Sequence, residues 1–168
     1  VVLIPSAASL LASNQSTPIL ALLLSRMADV QAAAPGDKPA AAAGQMLLRC
    51  FANMAARAEL SGLVAAAASS LVEQTSAPME SGTTGARLAA CTLLYNLTIL
   101  LSKGGVPADA ALLSEEWRLQ ALSLIGHALS NVAAFAVPAE EESLIRLLLA
   151  LNALVTATAA GKQAAKEL

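Results

Sequence analysis

The chain has 168 residues, enough for one domain with its own core, and its formal net charge is −2. Alanine and leucine supply 71 of these residues, whereas only four are aromatic. This composition excludes a β-sandwich or barrel, which needs β-branched and aromatic residues, and a hydrophobic content of 57% excludes a disordered chain.

The sequence predicts helices along almost the whole chain. We place them at residues 6–13, 17–33, 45–57, 62–74, 86–102, 114–135 and 140–158, with a short last helix after Gly161. Two loops are predicted, at 35–39 and 78–85, because proline and glycine interrupt helices there. Gly126 is a candidate break within the sixth helix.

These helices are apolar on most sides, and helix 86–102 has no charge between Arg87 and Lys103. Such helices pack against neighbours on several sides, which is typical of the inner helices of an α-solenoid. We therefore predict a single all-α domain over residues 1–168, an armadillo/HEAT-like α-solenoid in the form of a right-handed superhelix.

Similarity between segments of the chain supports the solenoid. Three apolar segments each hold one asparagine, at Asn53, Asn96 and Asn152, and Asn131 marks a weaker copy. The first spacing of 43 residues suits armadillo and HEAT repeats, but the next two, 35 and 21, do not keep the period. Two interpretations remain open: each amide bonds a neighbouring loop or helix end, or the amides line a concave face and bind an extended peptide.

No pattern indicates catalysis or a metal site, and no cofactor is predicted. His127 is the single histidine, and its apolar helix suggests a core or groove position. Cys50 and Cys91 are expected to be small core residues in a reducing compartment, although the sequence leaves a disulfide between them open. The chain lacks basic runs, so nucleic acid is not an expected partner. The longest uncharged internal run, between Arg118 and Glu140, holds several polar residues and a proline, so no membrane span is predicted.

Three segments together resemble the PUL domain, the armadillo-like module of the phospholipase-activating, ubiquitin-binding protein family. They are QMLLRCFANM (45–54), RLAACTLLYNL (87–97) and SLIRLLLALNALV (143–155), and the closing KQAAKEL (162–168) is also similar to the family's end. The resemblance covers residues 44–168 in the family's order. It departs from the pattern at Asn152, where the family usually has glycine, and in the alanine-rich segment before Gly44.

The resemblance implies a protein-binding adaptor, without enzymatic activity, in ubiquitin-linked protein degradation in the cytoplasm or nucleus. Its partner would be the acidic C-terminal tail of the hexameric AAA unfoldase, valosin-containing protein, while ubiquitin would bind other domains of the parent chain. Carried over residue by residue, the partner-binding groove would use Arg49 and Arg146, with Asn53 and Asn96 nearby and Arg87 at the rim. We expect both groove arginines to be largely exposed in the free protein, because an unpaired buried charge is costly.

Each arginine also has a structural alternative. Arg49 could pair with a neighbouring helix end, Arg146 could pair with Glu142 four residues before it, and Arg87 could cap a loop. The whole domain could likewise be a static armadillo-like part of a large assembly that does not bind the unfoldase, as the weak net charge suggests. The chain does not begin with Met and the family's domain is longer, so we expect a piece of a longer protein.

Overall fold

The computed structural model describes residues 16–34, 36–103, 106–131 and 135–164, and these residues form helices joined by short turns, without a strand. The α-helices are α1 (Ser16–Gln31), α2 (Lys38–Ala55), α3 (Ser61–Ala66), α4 (Ala68–Glu73), α5 (Ser76–Ser81), α6 (Thr84–Lys103), α7 (Glu115–Ser130) and α8 (Glu141–Ala164). Short 3-10 helices, Ala58–Leu60, Ala111–Leu113 and Pro138–Glu140, precede α3, α7 and α8. The all-α prediction is confirmed, and the helix predicted at 6–13 lies outside the described residues.

Helices α2, α6 and α8 form one layer, in which α6 packs against the other two. Gln45 in α2 lies against Gly85 near the start of α6. Seven residues further along α2, the carbonyl of Ala52 accepts a hydrogen bond from the amide of Asn96 in α6. Since both contacts advance along the two helices together, α2 and α6 run in the same direction.

The contacts between α6 and α8 advance in the same way. Arg87 near the start of α6 pairs with Glu140, the residue just before α8. Further along, the guanidinium of Arg146 in α8 lies over the ring of Tyr95 in α6. The three helices of this layer are therefore parallel, and other helices separate them along the chain. This is the arrangement of an armadillo/HEAT-like α-solenoid, in which each repeat contributes one helix to the layer. We call α2, α6 and α8 the inner layer.

The short helices α3, α4 and α5 and the longer α7 pack behind the inner layer. The core between the two layers contains the fully buried side chains of Phe51, Leu93, Leu97 and Trp117. The indole N–H of Trp117 donates to the carbonyl of Ala68 at 3.1 Å, so the largest side chain in the core has a partner for its polar atom.

The start of α2 differs from the prediction. The expected loop at 35–39 ends early, because Asp37 caps a helix that begins seven residues before the predicted start at 45. An oxygen of the Asp37 carboxylate accepts the backbone N–H of Ala40 at 2.9 Å, and Pro39 occupies the first turn, where its missing N–H costs no hydrogen bond.

Other boundaries are also corrected. The helix predicted at 62–74 is divided into α3 and α4, and the predicted loop at 78–85 contains most of α5 and the start of α6. Pro78 is tolerated because it lies in the first turn of α5, where backbone N–H groups have no partner within the helix. Helix α7 ends at Ser130, without a break at Gly126, and the backbone of α8 continues through Gly161.

Among the described residues, α6 is the one helix long and apolar enough to cross a membrane by length and composition. Half of this apolar stretch is already buried by the rest of the molecule. Packing between α2 and α8 on two sides and the outer layer on a third accounts for its composition, as expected of the central helix of a core.

Candidate functional site

The inner layer presents a surface along α6. Its partly exposed residues Leu88, Thr92, Tyr95 and Ile99 recur at helical spacing and so share one side of the helix. Helices α2 and α8 flank this side. We call the surface formed by this stripe and the adjoining residues of α2 and α8 the inner face.

Arg49 lies on the side of α2 next to this stripe. It stands between Gln45 and Ala52, both of which contact α6, at a spacing that puts all three on one side of α2. Its side chain is exposed, and within the part of the chain that the structure describes no group forms a hydrogen bond or ion pair with its guanidinium. The alternative of an ion pair with a neighbouring helix end is therefore not what the structure shows.

Asn53 and Asn96 lie on the two adjacent helices of the inner layer. The Nδ2 of Asn96 donates to the carbonyl of Ala52 at 2.8 Å, which links α6 to α2. Asn53 follows Ala52 directly and is exposed. One amide therefore joins two helices, as the structural interpretation predicts, while the other is free to meet a ligand. Asn152 is also exposed, on α8.

Arg146 is placed on the α8 side of the inner face, but it is not largely exposed, so that expectation is wrong. Its side chain is 30% exposed. Its Nε and Nη2 both donate to one carboxylate oxygen of Glu142, at 3.0 and 2.8 Å, which is the intrahelical pair given as its structural alternative. Its guanidinium carbon lies 5.7 Å from the centroid of the Tyr95 ring, which holds the flat group against α6.

Arg87 is not at a basic rim. Its side chain is only 11% exposed and pairs with Glu140, which is 2% exposed. Its other donors reach the carbonyls of Met79 and Gly82, at 3.0 and 3.3 Å, and its guanidinium lies over Phe135. Arg87 therefore joins α5, α6 and the start of α8 from inside, and it has no free edge for a partner.

Sequence reasoning also missed residues of the inner face. A hollow of about 450 Å³ opens at its C-terminal end, with Tyr95 and Ile99 on its walls and Lys103 among its lining residues. Tyr95 stands directly before Asn96 in the segment 87–97, so its place is visible in the sequence, whereas Lys103 is noted there only as the charge that bounds the apolar stretch of helix 86–102.

Among the described residues, no cluster of histidine, cysteine and carboxylate side chains is placed to hold a metal ion. His127 is not a core residue, because it is 68% exposed on α7 with its Nε2 3.6 Å from Glu80, but it does line a hollow between α4, α5 and α7. Cys50 and Cys91 are free thiols. Burial raises the pKa of Cys50, and burial with the nearby carboxylate of Glu140 raises that of Cys91 to about 12, which keeps Cys91 protonated and unreactive at neutral pH.

Comparison with known families agrees with this architecture. The sequence model of the PUL domain matches residues 1–168, which is wider than the resemblance recognised at 44–168. No curated protein and no solved structure gives a significant match to the chain. The PUL domain is a protein-interaction domain, in keeping with a surface that offers an arginine, an amide and an aromatic ring. The match covers the whole chain, and the protein therefore belongs to the PUL domain family.

Proposed function

We propose that the inner face binds the acidic C-terminal tail of the hexameric AAA unfoldase, valosin-containing protein, and that the protein serves as an adaptor in ubiquitin-linked degradation in the cytoplasm or nucleus. The observation that carries this proposal is Arg49, an exposed guanidinium without an internal partner. Such a group can hold a carboxylate through two parallel hydrogen bonds. Membership of the PUL domain family supports a protein partner, and the unpaired guanidinium supports a carboxylate contact at Arg49.

The neighbours of Arg49 suit an extended acidic peptide. The exposed amide of Asn53, one turn away, can donate to and accept from a peptide backbone. Tyr95 and Ile99 offer partly exposed apolar surface beside it. The chain is acidic as a whole, with a net charge of −2, so the attraction for an acidic tail is local to the arginines.

The test is a calorimetric titration of the protein with a synthetic peptide that has the sequence of the unfoldase tail. A hydrogen bond to a charged group contributes about 1.5–3 kcal/mol, so Arg49→Ala should weaken binding about tenfold or more. Arg49→Lys keeps the charge but loses the planar guanidinium, so its affinity for the tail should lie between those of the wild type and Arg49→Ala. Binding should weaken above about 0.15 M salt, where the Debye length is near 8 Å.

Arg26→Ala is the matched control. Arg26 is also exposed, but it lies on α1, where it pairs with Asp29. Helix α1 packs against the side of α2 that carries Ala43 and Leu47, away from α6. Arg26→Ala should leave tail affinity within about twofold, and neither substitution should change the melting temperature much, because both sites are exposed. Equal losses in the two variants would contradict a specific contact at Arg49.

The alternative, a static module built into a larger assembly, is favoured by one observation. Of the three arginines implied by the resemblance, Arg87 is buried in an ion pair and Arg146 is paired with Glu142, so Arg49 alone keeps its guanidinium unpaired. Absence of tail binding by the wild-type protein in the same titration would select this alternative.

A further inference from the structure

Glu142 occupies a part of Arg146 that an acidic ligand could use. A guanidinium can hold a carboxylate through two parallel hydrogen bonds, and the edge formed by Nε and one terminal nitrogen is one of the edges that can do so. On Arg146 this edge is taken by Glu142, whose Oε1 accepts from Nε at 3.0 Å and from Nη2 at 2.8 Å. Tyr95 covers a face of the guanidinium, and among the described residues Nη1 has no hydrogen-bond partner, so the other edge of the group lies next to the carboxylate of Glu142.

The pair is built so that it can open. Glu142 is 53% exposed, and exposed pairs at this i,i+4 spacing are worth only about a twofold change in equilibrium. Glu142 also lies in the first turn of α8, where the positive helix end favours a carboxylate whether or not it touches Arg146. Breaking the pair between Glu142 and Arg146 therefore costs little free energy.

We propose that Glu142 is a built-in competitor that sets the affinity of the inner face for acidic peptides. A ligand carboxylate that takes the Nε edge of Arg146 must displace Glu142, and one that binds through Nη1 meets the negative charge of Glu142 nearby. The face then favours peptides with several carboxylates, since one contact at Arg49 and a second at Arg146 together outcompete a single internal carboxylate. This inference rests on the proposed function for the identity of the peptide but not for the masking of Arg146.

The experiment compares Glu142→Gln with Glu141→Gln in titrations with the tail peptide. Glu141 is the matched control, because it is an exposed carboxylate in the same turn that does not pair with Arg146. Removing the competitor and its repulsion should tighten binding about threefold to tenfold in Glu142→Gln. Glu141→Gln should tighten it less than twofold, because only a more distant charge is lost.

The tighter binding of Glu142→Gln should depend on the presence of Arg146. In an Arg146→Ala background, Glu142→Gln should therefore bring less than a twofold gain. A Glu142→Gln protein that binds no tighter than Glu141→Gln, or a gain that survives without Arg146, would overturn the proposal.

A second readout needs no peptide. Phenylglyoxal modifies accessible guanidinium groups, and peptide mapping by mass spectrometry gives a rate for each arginine. Arg146 should react several-fold faster in Glu142→Gln than in the wild type, while Arg26 serves as the internal reference with an unchanged rate. If no variant binds the tail, the proposed partner is wrong, and an unchanged rate at Arg146 separately shows that Glu142 does not mask it.

Discussion

Arg49, Arg87 and Arg146 look alike in the sequence, and the structure gives each a different environment. Arg49 is exposed and unpaired, Arg146 is largely covered by its own helix and Tyr95, and Arg87 is almost completely covered and pairs with Glu140. The partner of Arg146 stands four residues away and was foreseeable. That of Arg87 stands 53 residues away, so only the packing of α8 on α6 could reveal it.

Removing Arg87 should destabilise the protein strongly. Arg87→Ala leaves the carboxylate of Glu140 buried without its counter-charge, which costs about 3–5 kcal/mol. At roughly 2–4 °C per kcal/mol for a chain of this size, thermal unfolding should shift down by about 10 °C. The double variant Arg87→Met with Glu140→Gln should recover part of this loss, and a double variant less stable than Arg87→Ala would contradict the assignment.

Cys91 should make the protein sensitive to alkaline pH. Burial, with the carboxylate of Glu140, raises its pKa from 9.0 to about 12, so between these values the unfolded chain loses a proton that the folded protein keeps. Stability attributable to Cys91 is therefore constant below pH 9 and falls above it, by about 1 kcal/mol at pH 10. Urea unfolding should show that the free energy of unfolding falls less between pH 7 and pH 10 in Cys91→Ala than in the wild type. Equal falls in the two proteins would show that Cys91 is not the cause.

At the scale of elements, the sequence predicts helix boundaries well where no proline is nearby. It predicts them poorly where the effect of a proline depends on its position within the helix. The helix end predicted at 102 and the helix starts predicted at 114 and 140 each lie within one residue of the observed bounds, Lys103, Glu115 and Glu141. Pro39 and Pro78 were interpreted as breaks, yet both lie in first turns, which tolerate proline. These two prolines explain why α2 was predicted to start too late and why α5 was predicted to be a loop.

The cap of α2 gives a direct test at this scale. Asp37→Ala removes the acceptor for the N–H of Ala40 and should cost about 1 kcal/mol. Amide exchange should quicken in the first turn of α2 more than elsewhere, with a fall of about 2–4 °C in the melting temperature. Asp109→Ala, at an exposed turn, is the control and should change neither measurement.

At the scale of the molecule, the similarity between apolar segments that each hold one asparagine identified the inner layer. The segments around Asn53, Asn96 and Asn152 are α2, α6 and α8, the parallel helices that carry the inner face. Sequence could find these helices because each is apolar on several sides. It could not tell which polar side chains stay free, since the bond from Asn96 to Ala52 depends on how closely α2 and α6 approach.

The width of this layer predicts how long a bound peptide must be. Arg49 on α2 and Arg146 on α8 lie on either side of α6, and packed helices stand 8–10 Å apart, so roughly 16–20 Å separate the outer axes. An extended chain covers about 3.3 Å per residue, so five or six residues span both arginines. Successive truncation of the tail peptide should therefore give a step in affinity between four and six residues, and the step should vanish in Arg146→Ala while the weaker binding of the short peptides is unchanged. A smooth decline with length, the same in both proteins, would mean that the peptide contacts one arginine alone.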